Sequence, residues 1–207
     1  MASRFQALSH YSLVLFLLLV VPDACQAAAK TTLLKRKCEK YAAGTRHYYD
    51  FCMKTMQADR ASATADARGL AAIAARIAAT MAKATDDKIL AALRDPATSP
   101  PRWRCLSACD TEYAVAARRL GLAAKVAAAA GKRARDVREL LSKAYGAPAS
   151  CDTEFANAGQ QGSPVSTADR RLDDVISMAI SFLPLPPRGG VIDMLLGLNR
   201  YAELRIE

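Results

Sequence analysis

Beyond residue 60 the apolar residues recur every three or four positions, the spacing of one face of an α-helix. In residues 62–84, SATADARGLAAIAARIAATMAKA, a stripe of Leu70, Ile73, Ile77 and Met81 runs through alanine. Ser62 has Ala65 rather than Glu or Gln three places on, so no capping box marks the start, which is placed only near Ser62. Residues 86–94, DDKILAALR, repeat the pattern until Asp95-Pro96 stops it. Asp86 and Asp87 read as charges favouring a helix N-terminus. After the separator PATSPP a long run covers 102–130, and Gly131 marks a turn. The next run spans 132–158, interrupted by Gly146 and Pro148. The loop GQQGSP follows, and Ser166 is the expected N-cap of a last helix reaching about Leu183. Strand signals are scarce. Amphipathic helices with short connections predict an all-α, up-and-down four-helix bundle.

The N-terminus breaks this pattern. Arg4 precedes an uncharged apolar run over 11–21, and small residues follow at 24–29. A run of about a dozen residues is short for a bilayer crossing, and the layout is that of a secretory signal peptide, 1–29. The expected mature chain is secreted and has no membrane span.

Secretion changes the meaning of CLSACDTEYAVAARRL, residues 105–120. Cleavage removes Cys25 and leaves Cys38, Cys52, Cys105, Cys109 and Cys151. In an oxidising compartment this odd set predicts two bridges and one spare thiol. A metal site is disfavoured, because the Cys105–Cys109 spacing is not C-x2-C and His47 is the one mature histidine. If the chain reverses near Gly131, Cys109 and Cys151 reach similar heights on antiparallel helices at about 1.5 Å per residue. Cys105, one turn away, competes for the same partner.

The net charge of +9 favours polyanions. Outside a cell those are pectic polysaccharide, a membrane surface or an acidic protein rather than nucleic acid. Lys132, Arg133 and Arg135, in GKRARDVR, lie where such a partner would be gripped, though a solvated turn between two helices is the more ordinary explanation. No catalytic constellation is legible. A nucleophile needs a neighbouring base, and adjacent carboxylates such as Asp86-Asp87 or Asp173-Asp174 diverge by about 100° on a helix. No phosphate-cradling glycine loop occurs, so neither an enzyme nor a cofactor is expected.

Four stretches carry a resemblance. Cys109-x3-Tyr113-x2-Ala116-x3-Leu120 resembles a helix motif of the plant invertase and pectin methylesterase inhibitor family. LSKAYGAPASCDTEF (141–155) resembles that family's small-residue helix with its cysteine. CEKYAAGTRHYYDFC (38–52) resembles its N-terminal helical hairpin, and SPVSTADRRLDDVISMAISFL (163–183) its closing helix. The resemblance covers about 31–183 in the family's order. It implies a disulfide-stapled bundle with a hairpin extension over 30–183, bridges Cys38–Cys52 and Cys109–Cys151, and Cys105 as the spare thiol. That thiol is expected to be buried, with mixed-disulfide or dimer roles as the alternatives.

The implied function is one-to-one occlusion of the substrate cleft of a cell-wall pectin methylesterase or of an acid invertase. Invertase inhibitors of the family often carry Pro-Lys-Phe before the last helix. Here Gly162-Ser163-Pro164-Val165-Ser166 lacks the Lys-Phe pair, which favours the methylesterase and makes Ser163, Pro164 and Val165 candidate contacts. A location in the apoplast is expected, with the vacuole as the alternative. A cationic helical protein acting directly on pectin or membranes is the competing reading. The tail 184–207, PLPPRGGVIDMLLGLNRYAELRIE, falls outside the resemblance.

Overall fold

The computed structural model describes residues 33–129 and 134–184, except for the side chain of Asp169. The expected signal peptide, Lys132, Arg133 and all of the tail beyond Pro184 lie outside the described residues.

Residues 33–42 are helical (α1) and turn through Ala43 and Gly44 into α2, Arg46–Gln57. A short 3-10 turn, Arg60–Ala63, leads to the bundle. Its helices are α3 (Ala67–Arg94), α4 (Pro100–Ala128), α5 (Ala134–Asn157) and α6 (Ser166–Phe182). No strand occurs among the described residues. Each bundle helix packs on two others: α3 on α4 and α6, α5 on α4 and α6. Short connections and this cyclic packing make an up-and-down four-helix bundle.

The apolar stripes dictate that packing. Leu70, Ile73, Ile89, Leu106, Tyr113, Leu120, Leu141, Phe155, Leu172, Ile176, Met178 and Phe182 all lie in one core. Alanines fill the seams, with Ala71, Ala74, Ala75, Ala78 and Ala82 on α3 buried beside Ala116 and Ala123 on α4. Such small residues let helix axes approach closely while the larger side chains interdigitate.

Several sequence expectations shift. The α3 start moves from Ser62 to Asp66, whose Oδ1 accepts from Gly69 N–H at 2.7 Å. Ser62 is instead buried in the 3-10 turn, which Asp59 caps by accepting from Ala61 N–H at 2.9 Å. Asp86 and Asp87 sit within a continuous α3, because Ala82, Thr85 and Ile89 carry the buried stripe past them. Pro100 and Pro101 open α4 rather than separate it, since first-turn residues need no N–H donor. Gly146 and Pro148 do not interrupt α5. Pro148 is buried among Ala144, Ala147 and Cys151, and those anchors hold the helix through it. Ser166 is the first helical residue, not the cap: Val165 precedes the helix without a side-chain bond, and Ser163 supplies the local acceptor.

The disulfides tie separate elements. Cys38–Cys52 closes α1 on α2, and Cys109–Cys151 joins α4 to α5. Cys105 is a buried thiol whose Sγ donates to the Glu154 carbonyl at 3.5 Å. The hairpin docks on α6, where Lys37 Nζ donates to Phe182 O at 2.7 Å and Tyr41 Oη to Asp174 O at 3.1 Å. The Lys37 cation thus covers a carbonyl of the last α6 turn, the end that favours positive charge. Burial, together with Lys40 and Arg36, holds the Lys37 ammonium below its ordinary pKa.

Candidate functional site

Of the expected partner contacts that the structure describes, Arg135 and residues 163–165 fall at opposite ends of the bundle. The α5 helix runs Ala134–Asn157, about 36 Å at 1.5 Å per residue, with Arg135 in its first turn and residues 163–165 beyond its last. A single small contact patch therefore cannot contain both.

At the basic end Arg135 is exposed. Arg138, in the same basic run, is half-buried and donates to Pro184 O at 3.1 Å, and burial lowers its pKa. It joins the start of α5 to the end of α6 and serves the fold.

At the other end α5 terminates with Gly159 in the left-handed region, at φ 61°. Gly159 N–H reaches Ala156 O and Gln160 N–H reaches Phe155 O, both at 3.0 Å, which satisfies the last carbonyls. The chain then folds back so that Ser163 and Val165 turn inward, only 5% and 4% exposed. Ser163 Oγ donates to the bridged Cys151 Sγ at 3.5 Å and accepts from Val165 N–H at 3.2 Å. Of the expected trio, Pro164 alone is exposed. The reason is local: a serine beside a disulfide and an N–H needing a partner is drawn into the fold.

The start of α4 shares this end, and it adds a residue that the sequence reading passed over. Trp103, the single tryptophan, is 48% exposed. Beside it Arg104 is exposed, while Arg102 lays its guanidinium over the buried Phe155 ring, 5.4 Å from the centroid. A rigid end built on the Cys109–Cys151 bridge thus presents an indole, a guanidinium and a proline. Trp and Arg are the residue types that most often dominate protein interfaces. Their signal in the sequence was one Trp at a polar first turn, where no core needs it.

The arrangement offers contact rather than chemistry. His47 is exposed and packs edge-on against Tyr48, with ring centroids 5.7 Å apart. Among the described residues no group of three metal-ligating side chains occurs and no helix is long and apolar enough to cross a membrane.

Comparison with known proteins gives the same direction. The family model of plant invertase/pectin methylesterase inhibitors matches residues 32–182. Pectinesterase inhibitor 28 of Oryza sativa subsp. japonica is 48% identical over 63 residues, 30% of this chain and 24% of that protein. Cell wall / vacuolar inhibitor of fructosidase 2 of Arabidopsis thaliana is 33% identical over 92 residues, 44% of this chain and 48% of that protein. A pectinesterase inhibitor of Actinidia deliciosa is 26% identical over 178 residues, 85% of this chain and 92% of that protein. The matched stretch thus covers less than two-thirds of the first two relatives. On the fold, the motif order and the match across 32–182, the chain belongs to the plant invertase/pectin methylesterase inhibitor family, a family of enzyme inhibitors rather than enzymes.

Proposed function

We propose that the protein is secreted and inhibits a cell-wall pectin methylesterase by one-to-one occlusion of its substrate cleft. The observation that carries this reading is the end of the bundle before α6. Its loop exposes Pro164 and lacks the Lys-Phe pair carried there by many invertase inhibitors, while Trp103 and Arg104 stand on the first turn of α4 at the same end. The likeness to two pectinesterase inhibitors, one across most of the chain, supports the same choice. The alternative is an acid invertase of the cell wall or vacuole, favoured by the likeness to the fructosidase inhibitor.

Rigidity supports inhibition by occlusion. A surface held by a disulfide and a packed core loses little conformational freedom on binding. Arg135, at the far end, together with the charges of Lys132 and Arg133, would act through long-range attraction to an acidic enzyme and to pectin rather than by filling the cleft. Residues 1–29 serve as the signal peptide and 30–183 as the inhibitor unit, with 184–207 the tail that follows it.

The test is a parallel titration of a plant pectin methylesterase and a cell-wall invertase at mildly acidic pH. Stoichiometric loss of methylesterase activity alone is the expected result. Loss of invertase activity alone overturns the choice of target, and loss of neither overturns the inhibitor reading.

A further inference from the structure

Four arginines donate to oxygens of the chain itself. Arg46 pairs with Asp50 at 2.9 Å and Arg76 with Asp59, while Arg119 donates to Lys143 O at 2.9 Å and Arg138 to Pro184 O at 3.1 Å. Arg102 differs. Its guanidinium lies over the Phe155 ring, 5.4 Å from the centroid, and among the described residues it has neither a carboxylate nor a carbonyl partner. Its position explains this. Arg102, Leu106, Cys109 and Tyr113 fall on one stripe of α4 at helical spacing, and the last three are buried. Arg102 continues that stripe at the end of the bundle, where, half-buried, it covers Phe155 in place of an apolar side chain. An aromatic ring attracts a cation through its face but offers no lone pair, so the contact holds the guanidinium while its N–H donors stay open. The backbone beneath is fixed as well: Pro100 and Pro101 open the helix, and Trp103 N–H reaches Ser99 O at 2.8 Å.

We propose that Arg102 is a specificity-determining contact of this end, a preset fork for an aspartate or glutamate carboxylate on the inhibited enzyme. A guanidinium binds a carboxylate through two parallel N–H donors, and one already held in place loses little freedom in doing so. Trp103, the next residue and 48% exposed, supplies the apolar flank that shields such a pair from water, and the exposed Arg104 adds a second cation. The inference deepens the inhibitor reading and rests on it, but it holds for either target enzyme.

The test measures inhibition constants of the purified secreted protein, Arg102→Met and Arg102→Lys against whichever enzyme the parallel titration shows the original to inhibit. Both variants keep an unbranched stem over Phe155, and lysine keeps the cation, so a role confined to covering the core survives in Arg102→Lys. Arg102→Met should raise the inhibition constant about tenfold to a hundredfold, the range of a hydrogen bond to a charged group. Arg102→Lys should recover only part of that loss, because it lacks the fork. Melting temperatures and the emission of Trp103, the single tryptophan, should match the original in both. The proposal is overturned if either variant inhibits as tightly as the original, or if Arg102→Lys loses inhibition together with melting temperature. It is overturned too if decagalacturonate binds the original and not Arg102→Met, which would assign the fork to a uronate sugar. An original that inhibits neither enzyme removes the inhibitor reading and this one together. An original that inhibits and is matched by its variants removes this one alone.

Discussion

At the residue scale, the loop before α6 shows how one side chain changes role once its neighbours are known. Ser163 reads as a surface contact in sequence, yet in the fold its hydroxyl bridges the Cys151 sulfur and the Val165 N–H. Ser163→Ala leaves that buried N–H without its acceptor, and such losses cost about 1–3 kcal/mol. Urea unfolding should show it, whereas Pro164→Ala should be close to neutral for stability. Gly159 is held at φ 61° with open space where a Cβ would stand. The penalty of Gly159→Ala is therefore one of backbone conformation, about 1–2 kcal/mol. The role of Ser163 is not legible locally, because the sulfur that recruits it belongs to the bridge between α4 and α5.

At the element scale, helix existence followed from apolar periodicity while continuity followed from packing. The α5 helix runs through Gly146 and Pro148 because buried residues flank both. Gly146 itself faces open space. Gly146→Ala should raise stability by about 0.5–1 kcal/mol, read as a higher urea midpoint.

The bridge between α4 and α5 closes a loop of 42 residues. In the chain-entropy account, Cys109→Ser/Cys151→Ser should cost about 4 kcal/mol. The spacing alone left Cys105 as a rival partner. Helix phase separates the two, since Cys105 points its sulfur at the Glu154 carbonyl, less than one turn beyond Cys151.

The seam between α3 and α4 carries a pH dependence. Asp86, on α3, faces the Asp110 carboxyl on α4, with Asp87 and Lys83 on its own helix. Burial first, then Asp110 and Asp87, raises the Asp86 pKa above 3.8, against a weaker opposing pull from Lys83. A carboxyl with a raised folded pKa binds more protons folded than unfolded, so its contribution is full below about 3.8 and is lost as pH rises through the folded value. Asp86→Asn should flatten that part of the stability-versus-pH curve and raise the melting temperature at neutral pH. An unchanged slope in thermal melts from pH 3 to 7 would count against this seam as its source.

At the scale of the whole molecule, the bundle separates functions by distance. Pro164 and Trp103 crown one end, and Arg135 lies about 36 Å away along α5. If the first end fills the enzyme cleft, Trp103→Ala should weaken inhibition about tenfold to a hundredfold, as central aromatic contacts do. Arg135→Glu should act mainly on the association rate and its salt dependence. Stopped-flow binding at two ionic strengths distinguishes these effects.

The sequence by itself determined the helical class, the family and the polarity of each helix face, because a 3.6-residue repeat and the order of motifs are properties of the chain alone. Tertiary structure decided which exposed residues share a surface. It turned Ser163 and Val165 inward, set Trp103 on the end that carries Pro164, and removed Arg135 to the far end. The physical reason is that local periodicity says which face of a helix is buried. Which faces meet depends on the angles, phases and disulfides joining helices that are distant in sequence.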